Sequence, residues 1–257
     1  IEQGNLAGEW VVGGVEAKCF AYVFVLVALG DLVQNRWNRV WTALGGATAF
    51  HALVGGWSAI VCAGIFLVRK QRPPVTAMAG GLVVGGLLAL AGILPALNLS
   101  RDVPAVTIDE ANRIYVFERL PHHLAPLAKT TDQARRRMVR HGILVAALMS
   151  MAWLARKFTR TVTATPLVTV RRFAWGALVL SAAGFAIQIA LRSDPVLSAQ
   201  LLKYYWFRLA DVAVPLALAV HATALLAIGL KRRDAVAVLG LAAALTCAGW
   251  QHGRGTG

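Results

Sequence analysis

The run Phe117-Glu118-Arg119-Leu120-Pro121-His122-His123 sets a carboxylate, a guanidinium and two imidazoles side by side. Arginine grips phosphate with a planar fork of N–H donors, and histidine exchanges protons near neutral pH. The run therefore holds the ingredients of an anion site with an acid–base partner; the plainer reading is a solvated loop with Glu118 paired to Arg119. A second set is Lys203-Tyr204-Tyr205-Trp206-Phe207-Arg208-Leu209-Ala210-Asp211. Four consecutive aromatics are typical of an interfacial belt. Arg208 and Asp211 stand one helical turn apart at the mouth of an apolar helix, where ionisable groups are functional candidates. Either they pair, or Arg208 binds a phosphate. Glu16 and Lys18 flank the start of the first apolar helix, as an end-of-helix charge pair or with Glu16 facing the same space as the loops. His51 sits where it can reach water, and His221 reads as a packing hydrogen-bond donor inside a helix. The catalytic candidates are Glu16, Glu118, His122, His123 and Asp211. Adjacent histidines point apart on an extended chain, so His122 and His123 alone do not predict a metal site. No metal is assigned, and a divalent cation is left open.

These residues are carried on an apolar scaffold. The chain has 257 residues, 58% of them hydrophobic, against roughly 45–50% in soluble domains. The apolar residues fall in runs long enough to cross a hydrocarbon core of roughly 30 Å, and in lipid such runs must be helical because nothing else satisfies their backbone. The formal charge is +14, but the basic residues cluster beside the apolar runs, as in Arg69-Lys70-Gln71-Arg72 and Lys231-Arg232-Arg233, which is the pattern of membrane topology rather than of nucleic-acid binding. Cys19, Cys62 and Cys247 show no metal or redox spacing and read as buried small residues. Gly81 and Gly85 form a GxxxG in an apolar helix, a helix-packing signal. The chain starts at Ile1 with no signal peptide and is read as a piece of a longer protein.

The expected fold is an all-α polytopic transmembrane bundle, a single domain over 1–257, with seven or eight membrane segments: 18–33, 40–68, 75–98, 141–155, 173–191, 212–230 and 235–250. The 40–68 stretch is one tilted helix or two short helices turning near Leu53–Gly56. With two, half of the 26 basic residues lie in the short loops 34–39, 69–74, 156–172 and 231–234 on one side, with only Asp31 and Asp234 as acids there. That arrangement obeys the positive-inside rule better and is preferred. The outer side then carries about 1–17, 99–140 and 192–211. Short interfacial helices are expected from 108 to about 119, capped at Thr107, and from Pro195 toward Arg208, capped at Asp194. The Arg135–Arg140 cluster also falls outside: either the topology is wrong there or the cluster holds an anionic lipid head group.

Glu16-Ala17-Lys18 opening a helix, the basic loop Arg36-Trp37-Asn38-Arg39, the small-residue run Ala43–His51 and a return helix ending in Arg69-Lys70 resemble the central membrane module of C-type glycosyltransferases over roughly residues 10–100. The whole chain is similar to an uncharacterised family of large bacterial polytopic membrane proteins, through Gly14–Lys18, Phe50–Trp57, Glu118–His123 and Tyr205–Asp211. The C-type resemblance implies sugar transfer from a polyprenyl-phosphate donor at the outer face of the cytoplasmic (inner) membrane, with Arg119, Arg208, Arg137 and Arg140 as candidate lipid-phosphate ligands. That class carries its catalytic acid in an early outer loop, which this chain does not display. Membrane lipid is the expected partner and nucleic acid is not; the oligomeric state is left open. A membrane transporter or a non-catalytic membrane protein is the alternative.

Overall fold

A computed structural model describes residues 6–7, 16–99, 101–128, 132–158 and 164–232. Every regular element among them is helical: α1 Ala17–Val33, α2 Trp37–Phe50, α3 Ala52–Val68, a 3-10 turn Val75–Met78 running into α4 Ala79–Asn98, α5 Ala105–Arg113 continued by a π-helical turn Ile114–Arg119, α6 Pro121–Leu124, α7 Asp132–Phe158, α8 Ala164–Ala190, α9 Pro195–Leu202 and α10 Arg208–Arg232. The segment expected at 235–250, Cys247 and the residues 1–5 and 8–15 lie outside the described residues.

Among the described residues, four helices have the length and composition to cross a membrane: Val75–Asn98, Asp132–Arg156, Pro166–Ala190 and Arg208–Ala227. In α4 only 17% of the apolar window is buried, with Val83, Leu87 and Leu97 all more than 60% exposed. In water so wide an apolar face would drive association; lipid is the solvent that suits it. The helices α1, α2 and α3 have 17, 14 and 17 residues, about 21–26 Å at 1.5 Å per residue, short for a full span. Among the described residues four is thus the number supported by length and composition; of the seven or eight segments expected, the one at 235–250 lies outside them.

The 40–68 stretch is two antiparallel helices. Trp37, at the start of α2, meets Phe66, near the end of α3, ring to edge at 5.1 Å. The break falls at His51, whose backbone is extended, rather than at Leu53–Gly56. Gly55 instead lies inside α3 against Thr48, where a Cβ would overlap the backbone. The GxxxG of α4 packs on α2 in the same way: a Cβ on Gly81 would overlap the Asn38 carbonyl, and one on Gly85 the Trp41 carbonyl. Asn38 locks this contact, donating to the Ala77 carbonyl at 2.8 Å and accepting from the Gly81 amide at 2.8 Å. One core joins α1, α2, α3, α8 and α10 around Tyr22, Leu32, Leu44, Phe173 and Val214.

The two ends of the bundle are distinct. One holds the starts of α1, α3 and α10, the ends of α2 and α8, and α5, α6 and α9; it is called the Arg208 rim below. The other holds Asp31, Asn35, Arg39 and Arg69. Asp31 there is buried and meets Arg39 at 3.2 Å. Several expected boundaries shift. The helix α7 starts at Asp132 and absorbs the Arg135–Arg140 cluster, and α8 starts at Ala164, inside the expected loop 156–172. The helix α5 is preceded by Pro104, so Thr107 lies within it and makes no capping box. Asp194 does cap α9, its Oδ1 accepting from the Leu197 amide at 3.0 Å, but α9 stops at Leu202.

Candidate functional site

Between α9 and α10 the chain must turn back within a few residues, and Tyr205 makes the turn with φ of 56°. A bulky residue in the left-handed region costs on the order of 1–3 kcal/mol and persists only where its surroundings enforce it. Here the aromatic run enforces it. Phe207 is fully buried and Tyr205 nearly so. Trp206 packs on Trp57 with centroids 4.5 Å apart, and the Trp57 indole donates to the Tyr204 carbonyl at 2.7 Å. The run expected as an interfacial belt is therefore largely internal, and Tyr204 is the member that stays exposed.

The strained turn sets Arg208 on its neighbours. Its guanidinium lies 3.8 Å from the centroid of the Tyr205 ring, and Nη1 is 3.0 Å from His51 Nε2. Arginine only donates, so His51 Nε2 accepts. The Val54 amide approaches the other ring nitrogen at 3.3 Å, but a neutral imidazole has one accepting nitrogen, and the shorter, charge-assisted contact takes it. Burial, then Arg208, push the His51 pKa down to about 4, so the ring is neutral at pH 7 and can serve as that acceptor. Lys18, in an ion pair with Glu16 at 3.0 Å, also lies within electrostatic reach of His51, as does Glu16 itself.

His123 closes the cluster. Its ring centroid is 6.4 Å from that of Tyr205. Burial, then His122, hold its pKa at about 4, with smaller effects from Arg208 and Arg137. The Ala7 backbone hydrogen-bonds this ring, and Nδ1 is buried with no hydrogen-bond partner. In the neutral ring the nitrogen facing the Ala7 carbonyl carries the proton, which leaves Nδ1 an accepting lone pair. The Tyr205 hydroxyl is fixed from the far side by Tyr115, oxygen to oxygen at 2.5 Å. Four stretches distant in sequence thus converge: His51 between α2 and α3, Tyr115 and His123 from the α5–α6 region, Tyr205 and Arg208 from the α9–α10 turn, and Ala7.

The expected residues divide accordingly. Asp211 is buried and accepts from the Ala7 amide at 2.9 Å, one turn below Arg208. Glu118 turns away to Arg113 at 3.0 Å rather than pairing with Arg119. Arg113 also binds Glu110 through two 2.8 Å contacts, which lower the Glu110 pKa. Arg119 is exposed on the π-helical turn. His122 and His123 do not point apart: they sit on a helical turn, α6, with centroids 4.1 Å apart. Arg137 acts on both histidines and lines a cavity of about 220 Å³ with Leu6, His122 and Gln133. The basic cluster of α7 therefore lies at the Arg208 rim, while Arg140 is half-buried one turn on. Among the described residues no set of three His, Cys, Asp or Glu side chains is placed to hold a metal ion.

Tyr115 and Ala7 are the participants that sequence reasoning passed over, and in sequence Tyr205 reads only as one of the belt aromatics. The strain at Tyr205 has no signature in residue type, and Tyr115 and Tyr205 meet across 90 positions. No family model matches the chain, and neither a curated protein nor a solved structure resembles it.

Proposed function

We propose that the chain is a multi-pass membrane protein that holds the phosphate of a lipid-linked substrate at the Arg208 rim, as the donor end of a C-type glycosyl transfer. The observation that carries the reading is Arg208 clamped between the Tyr205 ring and a neutral His51 at the mouth of an apolar helix. A guanidinium stacked by its face presents its N–H groups in its own plane, the geometry of a phosphate fork. Its contacts with the His51 imidazole and the Tyr205 ring are to uncharged groups. His123 Nδ1, buried and accepting, suits a hydroxyl of the sugar or of the acceptor. Glu16 is a carboxylate whose charge reaches His51.

In this reading the acceptor hydroxyl attacks the anomeric carbon and passes its proton to Glu16. The bond from that carbon to the phosphate oxygen breaks, and the lipid phosphate leaves with its charge held by Arg208. The transmembrane placement of α1, α2 and α3 belongs to the same proposal, supported by their position in one core with the longer helices. The test uses the full chain in lipid nanodiscs with a polyprenyl-phosphate sugar. Arg208→Ala is expected to lose binding and transfer by tenfold or more, while Arg119→Ala, on the exposed π-helical turn, leaves both intact. Equal loss in both variants, or none in either, overturns the site. Solute accumulation in proteoliposomes, insensitive to Arg208→Ala, points instead to transport.

A further inference from the structure

At the end opposite Arg208, arginines from three helices gather. Arg69 follows the last residue of α3, Arg156 lies near the end of α7, and Arg171 and Arg172 lie two turns into α8. The charge of Arg172 acts on Arg69, and those of Arg156 and Arg172 both act on Arg171. The described carboxylate at this end, Asp31, is engaged by Arg39 at 3.2 Å and faces Arg36 at 3.9 Å. Among the described residues no carboxylate bridges Arg69, Arg156, Arg171 or Arg172. Part of the cluster is rigidly held. Arg69 donates to Asn35 Oδ1 at 2.7 Å and lies over the Trp37 ring at 5.7 Å, and Arg72 lies over Phe66 at 5.9 Å. Asn35 is in the left-handed region, with φ of 60°, at the tight turn from α1 to α2. Like charges concentrated on packed helices repel unless an anion shares them.

The surface below the cluster indicates which anion. Arg172, Trp175 and Val179, at spacings of three and four, lie on one face of α8. All three are exposed, Trp175 by 41% and Val179 by 66%. The helix α3 packs beside this face through Val61 against Gly176 and exposes Ile60, Leu67 and Val68. From the end of the bundle inward, the surface runs from guanidinium to indole to aliphatic side chains. A phospholipid has the same order: phosphate, glycerol ester, acyl chain. A free anion would use only the first of these.

We propose that this surface is a binding site for one anionic phospholipid of the surrounding bilayer, its phosphate between Arg69, Arg171 and Arg172 and an acyl chain along Trp175 and Val179. Basic pockets between membrane helices hold head groups in this way. The inference rests on the membrane reading and is independent of any chemistry at the Arg208 rim.

The test takes the full chain, purified and delipidated in detergent, and measures binding and thermal stability with added phosphatidylglycerol, phosphatidylcholine or inorganic phosphate. Phosphatidylglycerol is expected to bind and stabilise, and phosphatidylcholine to do so at least about tenfold more weakly. The double variant Arg171→Gln/Arg172→Gln loses the preference, Arg172→Lys keeps most of it, and Arg119→Gln at the opposite end leaves it unchanged. Trp175→Ala, which keeps every charge, weakens phosphatidylglycerol binding and so tests the site even if the double variant does not fold. Equal binding of the two lipids, equal protection by phosphate, an equal drop in Arg119→Gln, or no effect of Trp175→Ala overturns the site. Wild-type protein that is monodisperse without detergent would refute the membrane reading itself, a separate result.

Discussion

At Tyr205 the backbone is in a conformation that suits glycine, while the side chain is needed for its ring under Arg208 and its hydroxyl against Tyr115. The two demands separate by mutation. Tyr205→Phe keeps the ring and is expected to retain most substrate affinity, losing only the hydroxyl bond, about 0.5–1.5 kcal/mol of stability. Tyr205→Gly relieves the strain but removes the stacking platform, so binding at the rim falls although the turn itself is relaxed. Affinity for a polyprenyl phosphate and thermal unfolding, measured on both variants, distinguish the two contributions. The histidines give a pH prediction. His51 and His123 are held near 4 by burial and cationic neighbours, against an ordinary value of 6.5. Below 6.5 the unfolded chain binds protons that the folded chain refuses. Stability from this source is therefore intact above pH 6.5 and falls as the pH drops toward 4. Unfolding in detergent followed from pH 7 to pH 4 should show that decline, and the His51→Gln/His123→Gln pair should flatten it.

Among the elements, α2 and α4 make a close backbone contact, which brings Gly81 and Gly85 onto the Asn38 and Trp41 carbonyls. Larger side chains there force the helices apart, and overpacking typically costs about 1–3 kcal/mol. Gly81→Leu or Gly85→Leu should lower the unfolding temperature in detergent, whereas Gly86→Leu, with open space around it, should not. The stretch at Leu6–Ala7 is the second informative element. Both residues are buried, and the Ala7 amide ties to Asp211 while its backbone also meets His123. Asp211→Asn keeps the shape but exchanges a charge-assisted bond for a neutral one. It is expected to loosen this tie, read as faster proteolytic cleavage near the N-terminus at little cost to the bundle.

For the molecule as a whole, the testable property is the solvent. A chain with α4 so widely apolar on its surface should require detergent to stay monodisperse. Cysteine labelling in sealed vesicles should place positions 118 and 204 on one side and position 72 on the other. Much of this organisation was legible in sequence. The helices at 18–33 and 75–98 and the hairpin within 40–68 follow from apolar run length and from where the arginines fall. The N-terminal cap at Asp194 follows from its place before Pro195. The site was legible only in its ingredients. Arg208, His51 and His123 were each visible, but Glu118 had an equally good local reading beside Arg119 and turned instead to Arg113.

The division has a physical origin. Composition and period determined that most of the chain is helix and that its outward surface suits lipid, because each of these is a local response of a segment to its solvent. Which polar groups meet was decided by tertiary structure: by how far helices can approach at Gly81 and Gly85, and by a left-handed turn at Tyr205 that the buried aromatics around it impose. Contacts such as Arg208 with His51, 157 residues apart, depend on several helix faces packing at once, and no single segment of sequence encodes that.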